Sequence, residues 1–201
     1  MKKSPSPETD SALIVVDVEN DFLPGGALGV RAGDQVIAPM NRAIDVFLKE
    51  KLPVLYSRDW HPRDHSSFQQ NGGPWPPHCV QDTEGARFSS DLSISKNPLV
   101  FSKGTNAAQE EYSAFHARDT AGNTVSEVLE RLGVRHVFIG GLATDYCVLN
   151  TALDLLKAGY RVTVLTDACR AVNVAPHDGE KALEKMIAAG AMMMTTQDLG
   201  G

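Results

Sequence analysis

Short apolar runs alternate with longer stretches of mixed polarity along this chain. Ala12–Asp17, Val54–Arg58, Leu99–Lys103, His136–Gly140, Arg161–Leu165 and Ala191–Met194 are each bounded by polar residues, glycine or proline, and each predicts a strand. Their apolar residues run continuously instead of every second position, which implies burial on both faces. The helices between the last strands are well punctuated. Thr124 and Glu127 form a capping box with Gly133 as the stop, Thr144 is placed to cap a helix ending near Gly159, and Asp178 opens one ending near Gly190. The pattern predicts an α/β fold: a three-layer, doubly wound parallel β-sheet of about six strands with helices on both faces. Such sheets place ligand sites at the carboxyl ends of their strands. Residues 1–10 read as a loose tail and residues 11–201 as one domain. Residues 60–97, rich in Pro, Gly, Ser and His, form a long irregular insertion of the kind that usually carries function.

The polar residues at the predicted strand ends carry the candidate chemistry. Asp17 ends the first strand, Asp59 and His61 follow the second, Lys103 ends the third, and Cys147 lies in the first turn after the fourth, so all converge on one sheet edge. A helix N-terminus and a nearby ammonium both favour a thiolate, which predicts Cys147 as a nucleophile of lowered pKa. A carboxylate such as Asp17 can take the thiol proton and return it to a leaving amine. Backbone N–H groups in the turn Gly140–Thr144 are placed to stabilise an oxyanion. Cys79 and Cys169 lack this setting and read as structural. Asp59 and His61, two apart on an extended segment, offer metal ligands on one side, and His78 in the same insertion can supply a third. His65 is read as either a loop hydrogen-bonder or a further ligand, and His116, His136 and His177 as ordinary surface or strand-edge residues.

Composition narrows the class of protein. The chain has 201 residues, 42% hydrophobic and 22% charged, as expected of a soluble globular protein. Its apolar runs, the longest being Ala12–Val16, are far shorter than the ~20 residues of a membrane span, and Lys2-Lys3 leads into Ser-Pro-Ser-Pro-Glu instead of a signal segment. No membrane association is expected. A formal net charge of -6 without a Lys/Arg cluster argues against a nucleic-acid partner. Three cysteines, an odd number, fit the reducing cytoplasm. A homo-oligomer is left open.

Five segments together resemble a known family. Val15–Phe22 (VVDVENDF), Arg58–Phe68 (RDWHPRDHSSF), Trp75–Val80 (WPPHCV), Phe101–Gly104 (FSKG) and Gly141–Val148 (GLATDYCV) look like the nicotinamidase (pyrazinamidase) family of isochorismatase-like cysteine hydrolases, in order, from about Ser11 to Cys169. The resemblance implies that fold, with Asp17, Lys103 and Cys147 as catalytic triad and Asp59, His61 and His78 as metal ligands. It further implies a cis peptide before Ala143, an oxyanion hole from the N–H groups of Ala143 and Cys147, and an aromatic pocket including Phe22, Trp75 and Tyr112. The implied reaction hydrolyses nicotinamide, or pyrazinamide, to the acid and ammonia through a cysteine thioester, a step in NAD salvage. The implied cofactor is one divalent transition metal that receives the pyridine nitrogen. Two imidazoles and a carboxylate suit zinc, iron or manganese. A metal-free ureido or carbamoyl amidohydrolase would share Asp17, Lys103 and Cys147 but has no reason to hold the other three. Isochorismatase proper typically lacks the cysteine, and a catalytically silent binding protein on the same fold is the non-enzymatic alternative.

Overall fold

The computed structural model describes residues 7–200, so residues 1–6 of the expected tail lie outside the described part. All six expected strands form: β1 (Ser11–Val16), β2 (Val54–Asp59), β3 (Leu99–Lys103), β4 (His136–Leu142), β5 (Arg161–Arg170) and β6 (Met192–Met194). They pair in parallel in the order β3-β2-β1-β4-β5-β6. Among the described residues four α-helices accompany them: α1 (Ile37–Lys49), α2 (Val125–Arg131), α3 (Leu149–Lys157) and α4 (Asp178–Ala188).

Alternation along the buried strands separates two cores. Leu13 and Val15 of β1 face α1, whose buried Met40, Ala43, Ile44 and Phe47 recur at the spacing of one helical stripe. Ala12, Ile14 and Val16 face the opposite way, among Val125, Val128 and Leu129 of α2, Ala152 and Leu155 of α3, and Met186 of α4. The α1 face is completed by the long insertion, which brings Cys79, Ala86 and Leu92 into that core. A stretch with no helix beyond the short 3-10 turn Gln69–Asn71 thus makes the crossover from β2 to β3.

The capping box at Thr124 and Glu127 is present, and Gly133 follows the end of α2 in the left-handed region. Three expectations are corrected. β5 runs on to Arg170, because beyond a bulge in β4 the register resumes with Gly141 opposite Cys169 and Leu142 opposite Arg170. Cys169 therefore sits within this strand. His136, at the start of β4, keeps its strand-edge reading but not the surface one: it is buried, its Nε2 2.8 Å from Thr163 Oγ1. Asp10 is tied down as well, its carbonyl accepting the N–H groups of Arg135 and His136 at 2.8 and 3.2 Å.

One glycine is indispensable to the geometry. Gly141 has φ +126°, and a Cβ there would lie 2.0 Å from the carbonyl oxygen of Val16, the residue before Asp17. Only a glycine lets β4 pass that close to the end of β1.

Phe47 is fully buried and meets Phe138 edge-on at 5.3 Å between ring centroids, joining α1 to the sheet. Phe47→Ala should lower the unfolding free energy by about 3–5 kcal/mol, measured by urea titration. A loss below about 1 kcal/mol would contradict the placement of α1, since buried Phe→Ala changes rarely cost so little.

Candidate active site

The order of strands reverses between β1 and β4, and open parallel sheets form a crevice at such a point beyond the carboxyl ends of the strands. Asp17 follows β1, Asp59 ends β2, Lys103 ends β3, and Ala143 and Cys147 follow β4. Register does the fine placement. Asp59 and Lys103 are direct partners across β2 and β3. Ser57, one residue before Arg58 on β2, donates from Oγ to Asp17 Oδ1 at 2.6 Å.

Lys103 is at the centre. Its side chain is 1% exposed, and its ammonium lies 2.9 Å from Asp17 Oδ2 as an ion pair off the hydrogen-bonding direction. It also donates to Asp59 Oδ1 and lies 3.4 Å from Cys147 Sγ. Burial works against its charge, but Asp17, Asp59 and Cys147 outweigh burial and hold it well above the usual lysine value. Lys103 is a permanent cation. Burial pushes the Asp17 carboxyl up, with the charge of Asp59 adding to this, against Lys103 and the Ser57 hydroxyl. For Asp59 burial is outweighed by Lys103 and then His61 and His78, so its carboxyl stays far below the usual range.

The cysteine sits differently from expectation. Thr144–Val148 is a single π-helical turn ahead of α3, and the residue before the turn is Ala143, in extended conformation with no side-chain cap. The Ala143 carbonyl accepts from both Tyr146 and Val148, at 3.1 Å each, so Thr144 is not the cap. Such turns recur at functional sites. The Leu142–Ala143 peptide is cis. The expected low thiol pKa is also corrected: burial, then Asp17 and Asp59, push the Cys147 thiol well above its ordinary value although Lys103 opposes them. The resting group is a neutral thiol beside a base.

Asp59, His61 and His78 are brought together. One ligand atom from each lies within 4.8 Å of the others, all three residues being buried. His61 Nδ1 is 3.0 Å from the Gly104 carbonyl and His78 Nδ1 is 2.8 Å from that of Pro76, so both rings donate there and keep Nε2 as a lone-pair donor. That is how metal-binding histidines are oriented. Burial keeps the His78 imidazole below its usual pKa and so in the neutral form that ligates. His61 is held above its usual value, Asp59 and the Gly104 carbonyl outweighing burial. The donor set fits a divalent metal. His65 is not part of it: Nδ1 is 2.7 Å from Ser67 Oγ and Nε2 3.0 Å from the Gln109 carbonyl, which uses both nitrogens.

A small pocket opens onto both groups. Its wall includes Asp59, His78, Ala143 and Cys147 together with Phe22, Trp75 and Tyr112, and Trp75 Nε1 donates to the Tyr112 hydroxyl at 3.1 Å. Sequence reasoning missed Leu28, Glu110, Tyr146 and Val172 in the same wall. Tyr146 meets Trp75 edge-on at 5.1 Å between centroids, and its place beside Cys147 was the signal that could have found it. Glu19 was missed too. It is fully buried, with Oε1 accepting the Asp59 N–H at 2.6 Å and Oε2 without a partner. Burial, then Asp17 and Asp59, raise its carboxyl well above the usual range, and its Oε1 supports Asp59 through the backbone N–H.

The Isochorismatase domain family matches residues 11–198. The chain belongs to the isochorismatase family. Among members, nicotinamidase of Escherichia coli (strain K12) is 41% identical over 203 residues, covering 93% of this chain and 95% of that protein. The crystal structure of pyrazinamidase of Pyrococcus horikoshii in complex with zinc superposes with a TM-score of 0.85 at 42% identity, covering 92% of this chain and 99% of that one. N-carbamoylsarcosine amidase from Thermoplasma acidophilum also superposes, with a TM-score of 0.76 at 26% identity, over 96% of this chain and 99% of that one. The isochorismatase fold alone therefore does not select the amide. The side chains at the sheet edge must.

The buried thiols set an alkaline limit on stability. Burial pushes Cys169 up to about 12, whereas an unfolded thiol ionises near pH ~8.5. Its contribution is complete below the unfolded value and is lost as pH rises toward the folded one, because the unfolded chain then binds fewer protons. Between roughly pH 9 and 10.5 the wild type should lose stability more steeply than Cys169→Ala, by about 1.4 kcal/mol per pH unit. Parallel urea-unfolding curves for the two proteins across that range would refute it.

Proposed function

We propose that this chain hydrolyses nicotinamide, and pyrazinamide likewise, to the carboxylic acid and ammonia, as its nicotinamidase and pyrazinamidase relatives are named for doing. The observation that carries the reading is a Cys147–Asp17–Lys103 group and an Asp59–His61–His78 cluster facing one aromatic-walled cavity. A carbamoyl or ureido amidohydrolase needs the first group and gives no reason for the second.

The residues divide the reaction as follows. Asp17 accepts the Cys147 proton as the sulfur attacks the carboxamide carbon, and the Lys103 ammonium at 3.4 Å stabilises the negative charge forming on sulfur. A C–S bond forms, and the carbonyl electron pair moves to oxygen beside the backbone N–H groups of Ala143 and Cys147, the proposed oxyanion hole. Collapse breaks the C–N bond, and Asp17 returns its proton to the departing amine. Asp17 then takes a proton from water as it attacks the thioester, and the second collapse releases the acid and restores the thiol. Phe22, Trp75, Tyr112 and Tyr146 offer faces and edges to a flat heteroaromatic ring. Asp59, His61 and His78 would hold a divalent metal, zinc being our choice given two imidazoles, a carboxylate and the zinc bound by the Pyrococcus relative. Such an ion supplies a Lewis acid for a ring nitrogen or a water. The substrate is a small molecule, and no described helix is long and apolar enough to cross a membrane.

Ammonia release should be measured on nicotinamide, pyrazinamide, benzamide and ureidoacrylate with protein of known metal content. Nicotinamide and pyrazinamide should turn over, benzamide poorly because it lacks the ring nitrogen, and Cys147→Ala should leave none of the activity. His61→Ala or His78→Ala should lower metal content and turnover in parallel. Full activity in metal-free protein, or ureidoacrylate as the better substrate, would contradict the reading.

A further inference from the structure

The segment after β3 carries a side chain that the proposed reaction does not use. Glu111 lies between Glu110 and Tyr112, which both line the cavity, while Glu111 itself does not. Its Oε2 accepts the N–H of Gly104 at 2.8 Å, which closes the segment from Gly104 to Glu111 on itself. Gly104 is in turn the residue whose carbonyl accepts from His61 Nδ1 at 3.0 Å, leaving Nε2 to the cluster. The approach is tight. Gly104 has φ +62°, and a Cβ there would lie 2.3 Å from His61 Cε1, so only a glycine brings its backbone this close to the imidazole. Two further bonds fasten the same segment to the insertion: Ser66 N–H to the Ala107 carbonyl at 2.7 Å and His65 Nε2 to that of Gln109 at 3.0 Å.

We infer that Glu111 is a positioning residue: by holding Gly104 against His61 while its own neighbours form the cavity wall, it couples the metal site to the ring pocket. The inference rests on His61 being a metal ligand. A carboxylate on a backbone N–H makes a charge-assisted bond, and partners that orient a ligating histidine typically change metal affinity by about 10–100-fold when removed. Releasing Glu111 frees the Gly104 carbonyl from its place and loosens Glu110 and Tyr112 at the same time. Metal affinity and substrate KM should therefore move together, whereas a bond serving stability alone would move neither.

The test is zinc titration of metal-free protein against a chromophoric chelator, for wild type, Glu111→Ala, Glu111→Asp and Glu111→Gln, with His61→Ala as reference. Glu111→Ala should bind zinc about 10-fold or more weakly, with a raised KM for nicotinamide at saturating zinc and a smaller change in kcat. Glu111→Gln keeps an acceptor at the same reach and should restore most of the affinity. Glu111→Asp, which keeps the charge but shortens the reach, should resemble Glu111→Ala and serves in its place if that variant does not fold. Zinc affinity equal to wild type in Glu111→Ala and Glu111→Asp, with His61→Ala weakened, would overturn the role of Glu111 alone. Unchanged affinity in His61→Ala would overturn the ligand reading and this inference with it.

Discussion

One buried ammonium holds the two halves of the site in register. Lys103 contacts Asp17, Asp59 and Cys147 from a position that is 1% exposed. Two carboxylates could not stay ionised this deep without it, because desolvation of unpaired charge costs several kcal/mol per ion. Lys103 does this for both at once. It keeps Asp59 anionic, as a metal ligand must be, and it opposes the burial that raises the Asp17 carboxyl. The same charge favours the thiolate of Cys147 against burial, Asp17 and Asp59. The nucleophile and the proposed metal site thus depend on a single cation.

The backbone explains why that cation is available. With β1 in the middle of the sheet and β2, β3 and β4 around it, four strand ends deliver an aspartate, a second aspartate, a lysine and a cysteine into one crevice. Gly141 permits the close passage beside Val16 that brings the Cys147 turn next to Asp17. The crossover from β2 to β3 has no α-helix, and its irregular chain instead supplies His61, His65, Trp75 and His78. The insertion serves as both a core layer and the site's second wall. Glu19 then fastens Asp59 from behind through its backbone N–H.

Much of this was legible from the chain. Strands buried on both faces have short, continuous apolar runs, so their ends are sharp, and reactive residues at those ends must converge once the sheet is parallel. The placement of Asp17, Asp59, Lys103 and Cys147 followed from that rule. What stayed hidden depends on tertiary packing. β5 looked as though it ended at Leu165 because Thr166 and Asp167 are polar, yet pairing resumed beyond a bulge that no local pattern announces. Thr144 looked like a helix cap, but the turn begins at Ala143 and takes π geometry. The protonation state of Cys147 was misjudged because a helix terminus and a lysine can be foreseen, whereas complete burial beside two carboxylates cannot. Leu28, Glu110 and Val172 reach the cavity from three separate segments, and nothing local marks them as neighbours.

The most direct test of the account is the pH dependence of Cys147 alkylation by iodoacetamide, resolved by peptide mass spectrometry, in wild type and in Lys103→Met with its fold checked by circular dichroism. If the ammonium is what brings the thiolate within reach of the buried site, the midpoint for Cys147 must move to higher pH in the variant. A midpoint that stays in place or moves down would show that Lys103 does not stabilise the thiolate, and the shared-cation account would be wrong.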